Sequence, residues 1–158
     1  MCSSDLIIAD YEKCAYDAVN YLYHKGCKTI GLIAGSQNLT TFRGRYEGYH
    51  KAIKRFNLEE HLSECSFPVN SFEYGYECTM KLIDSTDALD AIIACVDIQG
   101  LGARRALKDE GFINSQVKVI SLTGHSIGGM LQTPMTSLEI PAHEMGEKAA
   151  LRDRKSVV

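Results

Sequence analysis

A chain of 158 residues, 45% of them hydrophobic, suits one domain able to bury a real core. Its 17 basic and 20 acidic residues give a net charge of −3. That leaves no basic excess to hold a phosphate backbone, and neither charge nor motif signals a nucleic-acid-binding module. No apolar stretch approaches membrane-spanning length.

Both ends read as foreign to the rest. Cys2-Ser-Ser-Asp-Leu6 is one reading frame of a common short-read sequencing adapter, and Asp153-Arg-Lys-Ser-Val-Val158 is a frame of its reverse complement. Residues 1–6 and 153–158 are therefore expected to be adapter-derived scars and are set aside. Doing so removes two acids and two bases, so the charge stays at −3.

Strands and helices then alternate. Tyr11, Ala15, Ala18 and Leu22 recur at helical spacing, with Gly26 as a C-terminal cap. The continuous run Thr29-Ile-Gly-Leu-Ile-Ala-Gly35 reads as a strand buried on both faces. Phe42, Tyr46, Tyr49, Ile53 and Phe56 form the next helical stripe, and a weaker strand is expected near Glu64–Phe67, closed by Pro68. Tyr76, Met80 and Ile83 mark a third helix. Ala91-Ile-Ile-Ala-Cys-Val96 is another buried strand, followed by a helix from Ile98 to about Glu110 with Gly111 as its cap. Val117–Leu122 is the next strand, Thr136–Ile140 is short and β-like, and Ala142–Leu151 is helical by composition. Alternation at this spacing means successive βαβ units: an α/β fold with a doubly wound parallel sheet and helices on both faces.

Five cysteines remain inside the trimmed ends: Cys14, Cys27, Cys65, Cys78 and Cys95. Their number is odd and no C-x-x-C occurs, so neither a disulfide framework nor a zinc site is signalled, and no other metal or cofactor site is. Cys14, Cys78 and Cys95 fall in apolar positions where a free thiol packs as a small hydrophobe, and a reducing cytoplasm fits best.

In an open α/β sheet, ligands bind at the carboxyl ends of the strands. Three loops should meet there, Gly35–Thr41, Asp97–Gly100 and Thr123–Gly129, joined by Asn70 and Phe72. Their amide, hydroxyl, guanidinium, carboxylate, imidazole and aromatic groups suit a polyhydroxylated ligand. Each has a plainer competing role. Asp97 and Asn70 stand where a side chain would cap a helix. Arg45 could be solvated, Phe72 could belong to the core, and His125 could be a structural loop residue.

Four segments carry a family resemblance. Ile7-Ile-Ala-Asp-Tyr11, the helix to Lys25-Gly26 and Lys28-Thr-Ile-Gly-Leu-Ile-Ala-Gly35 follow an "aspartate, helix, G-H-x-x-I-G-x-I-x-G" passage, with Cys27 for the His. Arg43-Gly-Arg-Tyr-Glu-Gly-Tyr-His-Lys-Ala-Ile53 follows "R-x-x-G-[FY]-x-x-A-[LI]". Asp97-Ile-Gln-Gly-Leu-Gly-Ala103 follows "D-x-x-A-x-G-A", with Gly100 for the Ala, and Thr133-Pro-Met-Thr-Ser-Leu138 with Gly146 follows a closing "P-x-x-T-x-[IL]…G". Together, and in this order, they resemble the periplasmic-binding-protein-like effector domain of LacI/GalR-family transcriptional regulators.

The resemblance implies a sugar or sugar-phosphate effector, no catalysis, a homodimer, and no membrane partner. Operator DNA would be bound only through a separate N-terminal helix-turn-helix domain. Residues 7–135 would be the C-terminal subdomain of the effector domain, and 136–152 a strand and helix of an otherwise missing N-terminal subdomain. Arg45 falls on the family's effector-binding arginine. Asn70 and Asp97 fall on or beside inducer contacts, and Thr41 lies in the loop before the arginine. His125 falls on an acidic effector ligand, replaced here within Thr123-Gly-His-Ser126, a variant similar to sucrose-operon repressors of Gram-positive bacteria.

Two rivals stay open. Gly124-His-Ser-Ile-Gly128 fits the G-x-S-x-G elbow of α/β-hydrolases, with Ser126 as the nucleophile of an esterase. Only Glu139 and His143 follow as acid and base, too near for the usual intervening strands, and no oxyanion loop precedes. A sugar-binding protein of a transport system would share the fold and the edge chemistry.

Overall fold

The computed structural model describes residues 9–36, 38–112, 116–124, 135–138 and 142–153. Among these residues, five helices and five strands run in the order α1 (Tyr11–His24), β1 (Ile30–Ile33), α2 (Thr40–Arg55), β2 (His61–Ser63), α3 (Phe72–Ser85), β3 (Ala91–Ala94), α4 (Asp97–Asp109), β4 (Lys118–Ser121), β5 (Thr136–Ser137) and α5 (Ala142–Asp153). All described strand pairs are parallel, in the order β2-β1-β3-β4-β5. The chain order reverses between β1 and β3, and such a switch point opens a crevice at the carboxyl ends of those two strands.

Alternation along the buried strands sends side chains to two cores. Ile30 and Leu32, with Ala91, Ile93 and Cys95, join α1 and α2 through Ala15, Ala18, Val19, Leu22, Tyr49 and Ile53. Ile33, Ile92 and Ala94 face the other way and join α3 and α4 through Tyr74, Cys78, Leu82, Ala103 and Leu107. The doubly wound α/β architecture expected from the alternation is the observed one. Gly26 and Gly111 take positive φ, +90° and +81°, as caps past the ends of α1 and α4.

Four local expectations are corrected. The edge strand is His61–Ser63, not 64–67. The reason is a long-range anchor: the His61 amide donates to the Tyr49 hydroxyl at 3.0 Å, and that hydroxyl donates to the Ile30 carbonyl at 2.8 Å. In α3 the buried positions are Tyr74, Gly75, Cys78, Thr79 and Leu82, while Tyr76, Met80 and Ile83 are only half-buried. Gly75 explains the rotation, because it lets α4 approach so closely that a Cβ there would lie 2.1 Å from the Gln99 carbonyl. On α2, Tyr46 and Phe56 are half-buried, and the buried stripe runs instead through Phe42, Arg45, Gly48, Tyr49, Ala52 and Ile53. Finally, α2 starts at Thr40, so Thr41 stands in its first turn and not in the preceding loop.

Candidate functional site at the carboxyl edge of the sheet

At the switch point, β1 delivers Ala34 and Gly35, and the chain enters α2 at Thr40. Gly35 is needed as glycine, since a Cβ there would press to 2.3 Å on the Phe42 ring. One turn further along α2, Arg45 is 4% exposed. A solvated Arg45 is thus excluded. The guanidinium carbon lies 4.9 Å from the centre of the Tyr11 ring and 5.7 Å from that of Phe42, and among the described residues the buried Nε has no hydrogen-bond acceptor. Its charge reaches the end of β3. Burial pushes the Cys95 thiol up to about 12, with Arg45 pulling in the opposite direction. Cys14 is likewise raised by burial and lowered by Arg45.

Asp97 is buried, at 8% exposure, where β3 turns into α4. It is not the helix cap. Val96 holds that position in extended conformation and Asp97 is the first helical residue, where a carboxylate still sits favourably in the field of the free N–H groups. The Asp97 amide donates to Thr123 Oγ1 at 3.1 Å, and Thr123 Oγ1 lies 3.3 Å from Ser121 Oγ. The loops after β3 and β4 are thereby tied together.

Gln99, which the sequence reading passed over, fixes the same turn from beneath. Its Oε1 accepts from the Cys95 and Val96 amides at 3.0 and 3.3 Å, and its Nε2 donates to the Val69 carbonyl at 2.6 Å. A glutamine three residues past the cap Val96, able to reach back to the cap amide, is half of a capping box and was the signal available. Tyr74 supplies a second brace, its hydroxyl donating to the Ala34 carbonyl at 2.7 Å.

The segment that Gln99 holds leads to Asn70 and Phe72. Ser71, not Asn70, caps α3, accepting from the Tyr74 amide at 3.1 Å, so the capping role expected of Asn70 is not observed and its side chain is exposed. Phe72 is not core either: it is 37% exposed at the start of α3. The structure therefore brings Arg45, Asp97 and Thr123 to the central strands of the edge, sets Thr41 half-buried on the first turn of α2, and leaves Asn70 and Phe72 exposed beside them. His125 and Ser126 lie outside the described residues. A buried arginine fork, a buried carboxylate and a threonine hydroxyl together offer donors and acceptors for a small polar ligand.

This parallel sheet, with polar groups gathered at its switch point, is the architecture of a ligand-binding domain. Residues 19–152 match the periplasmic binding protein-like domain, and the chain belongs to that family. Its relatives are LacI-family repressors, as the resemblance read from the sequence anticipated. The HTH-type transcriptional repressor CytR of Escherichia coli (strain K12) is 29% identical over 141 residues, 87% of this chain and 40% of that protein. The HTH-type transcriptional repressor PurR of Mannheimia succiniciproducens is 31% identical over 150 residues, 92% of this chain and 44% of that protein. A LacI family transcriptional regulator from Enterococcus faecium, solved with bound ribose, superposes with a TM-score of 0.78 at 25% identity, over 94% of this chain and 56% of that one. The chain thus spans about two fifths of the length of these curated relatives. No described helix is long and apolar enough to cross a membrane.

Proposed function

We propose that this chain is the effector-sensing part of a cytoplasmic LacI-family repressor, and that it reversibly binds a sugar or sugar phosphate without catalysing a reaction. One observation carries the reading: Arg45 is buried at the switch-point edge while its Nε has no acceptor among the described residues. A buried charged donor without a partner costs stability, and a ligand oxygen would offset that cost. Asp97, Thr41 and Asn70 would take ligand hydroxyls, Phe72 would present a ring to sugar C–H groups, and His125 would complete the set.

Residues 7–135 then form the C-terminal subdomain; of 136–152, strand β5 (Thr136–Ser137) pairs with β4 and stays in that subdomain's sheet, and only the helix would belong to the N-terminal one. In the intact homodimer the effector favours one closure angle between the subdomains and so changes operator affinity through the N-terminal heads. The likeness to sucrose-operon repressors makes a disaccharide one candidate effector.

Sequencing outward from both ends of the source DNA tests the assignment. A helix-turn-helix coding region upstream is expected. A secretion signal there would make this a transport binding protein. An oxyanion loop upstream with an acid and then a histidine downstream would point to hydrolysis at Ser126.

A further inference from the structure

We infer that Tyr11 is a positioning residue of the effector site, orienting Arg45 with its ring. This rests on the reading of Arg45 as an effector ligand and adds the group that holds it in place. A long arginine side chain keeps one geometry only if something restrains it. At Nε that restraint is not a hydrogen bond, since Nε has no acceptor, and no ion pair of Arg45 is found among the described residues. What touches the guanidinium is aromatic: the Tyr11 ring at 4.9 Å and the Phe42 ring at 5.7 Å. A ring against the guanidinium favours the cation electrostatically while occupying none of its N–H donors, which remain for a ligand.

Tyr11 reaches Arg45 through a device in the sequence. Gly44 and Gly48 stand one turn apart on α2 and face the first turn of α1. A Cβ on Gly44 would lie 3.2 Å from Tyr11 Cβ, and one on Gly48 would lie 1.9 Å from the Glu12 carbonyl oxygen. With no side chain between them, the start of α1 lies directly on α2. One further contact holds it there, Glu12 pairing with Lys51 across the helices, while Asp10 caps α1 by accepting the Lys13 amide at 2.8 Å. Phe42 is fixed separately by its packing over Gly35. Tyr11, half-buried, is therefore the ring that α1 contributes to the site, from a helix whose buried residues Ala15, Ala18, Val19 and Leu22 pack into the core.

The test uses the full-length protein with its arginines ¹⁵N-labelled, following the Arg45 Nε–H resonance, assigned by its loss in Arg45→Ala. Three probes are titrated: ribose, sucrose and glucose 6-phosphate. In wild type and Tyr11→Phe the resonance should carry a ring-current displacement and move with at least one probe. In Tyr11→Leu, which keeps an apolar side chain of related size without a ring, the displacement should collapse. Affinity for that probe should fall about three- to tenfold, with Tyr11→Phe within about twofold of wild type. Unchanged operator affinity without effector marks each variant as folded. Wild-type affinity in Tyr11→Leu overturns this inference alone. A wild-type Arg45 resonance that none of the three probes moves overturns the effector-site reading and this inference with it.

Discussion

Replacing Gln99 with leucine isolates the part of the site that is pure scaffolding. The side chain is fully buried, and its amide serves three backbone groups: the Cys95 and Val96 amides at 3.0 and 3.3 Å and the Val69 carbonyl at 2.6 Å. Leucine is close in size, so packing is largely kept while all three partners are stranded. At about 1 kcal/mol for each backbone group left unsatisfied, partly offset by the more apolar side chain, the loss should be about 2–3 kcal/mol. For a chain of this size that lowers Tm by roughly 4–12 °C. Thermal and urea unfolding followed by circular dichroism read it directly, and the urea slope should not change. Because Val69 leads into Asn70, the segment 69–72 should also exchange amide protons faster. A loss below about 1 kcal/mol would refute the view that Gln99 ties the β3–α4 turn to that segment.

The other predictions concern anchors and titration. Tyr49→Phe removes the hydroxyl that joins His61 to Ile30 and should cost about 1–3 kcal/mol, with the fastest new amide exchange in His61–Ser63; protection equal to wild type would show that the edge strand holds itself. Gly48→Ala should force α1 away from α2, because its Cβ would meet the Glu12 carbonyl at 1.9 Å, and should destabilise by about 1–3 kcal/mol; a neutral outcome in urea melts would contradict the close approach. Stability should also fall as the solution becomes alkaline. Cys78 and Cys95 are both raised by burial to about 12 from an ordinary 9.0, so through that window the folded chain holds protons that the unfolded chain releases. The urea midpoint should be flat below about pH 8 and decline above pH 9; a midpoint that rises there would contradict the burial of these thiols.

Much of the fold was legible because its signals are local. The runs at Ile30–Ile33 and Ala91–Ala94 are apolar throughout since both faces of the sheet are covered, and the glycines at 26 and 111 mark helix ends by the only backbone conformation that fits there. What escaped depends on contacts between distant residues. His61–Ser63 is too short to carry a pattern, and its place is set by a hydroxyl twelve residues earlier. Helix α3 has apolar residues on two sides, so its periodicity alone could not say that Tyr74 faces the core and Phe72 the solvent. At the site, Arg45 and Asp97 were named from the family pattern, whereas the burial of Arg45 and its stacking on Tyr11 needed the docking of α1 on α2. Asp97 looked like a cap from its position, but one residue of difference gave that place to Val96.

Whether Arg45 binds the proposed effector is decided by operator binding of the full-length protein. Wild-type protein and Arg45→Ala would be titrated onto the protein's own operator with and without a panel of sugars and sugar phosphates. Operator affinity without effector should be equal in the two proteins, and one member of the panel should change it in wild type but not in Arg45→Ala. An Arg45→Ala repressor that responds to that compound at the same concentration as wild type would contradict a ligand role for Arg45.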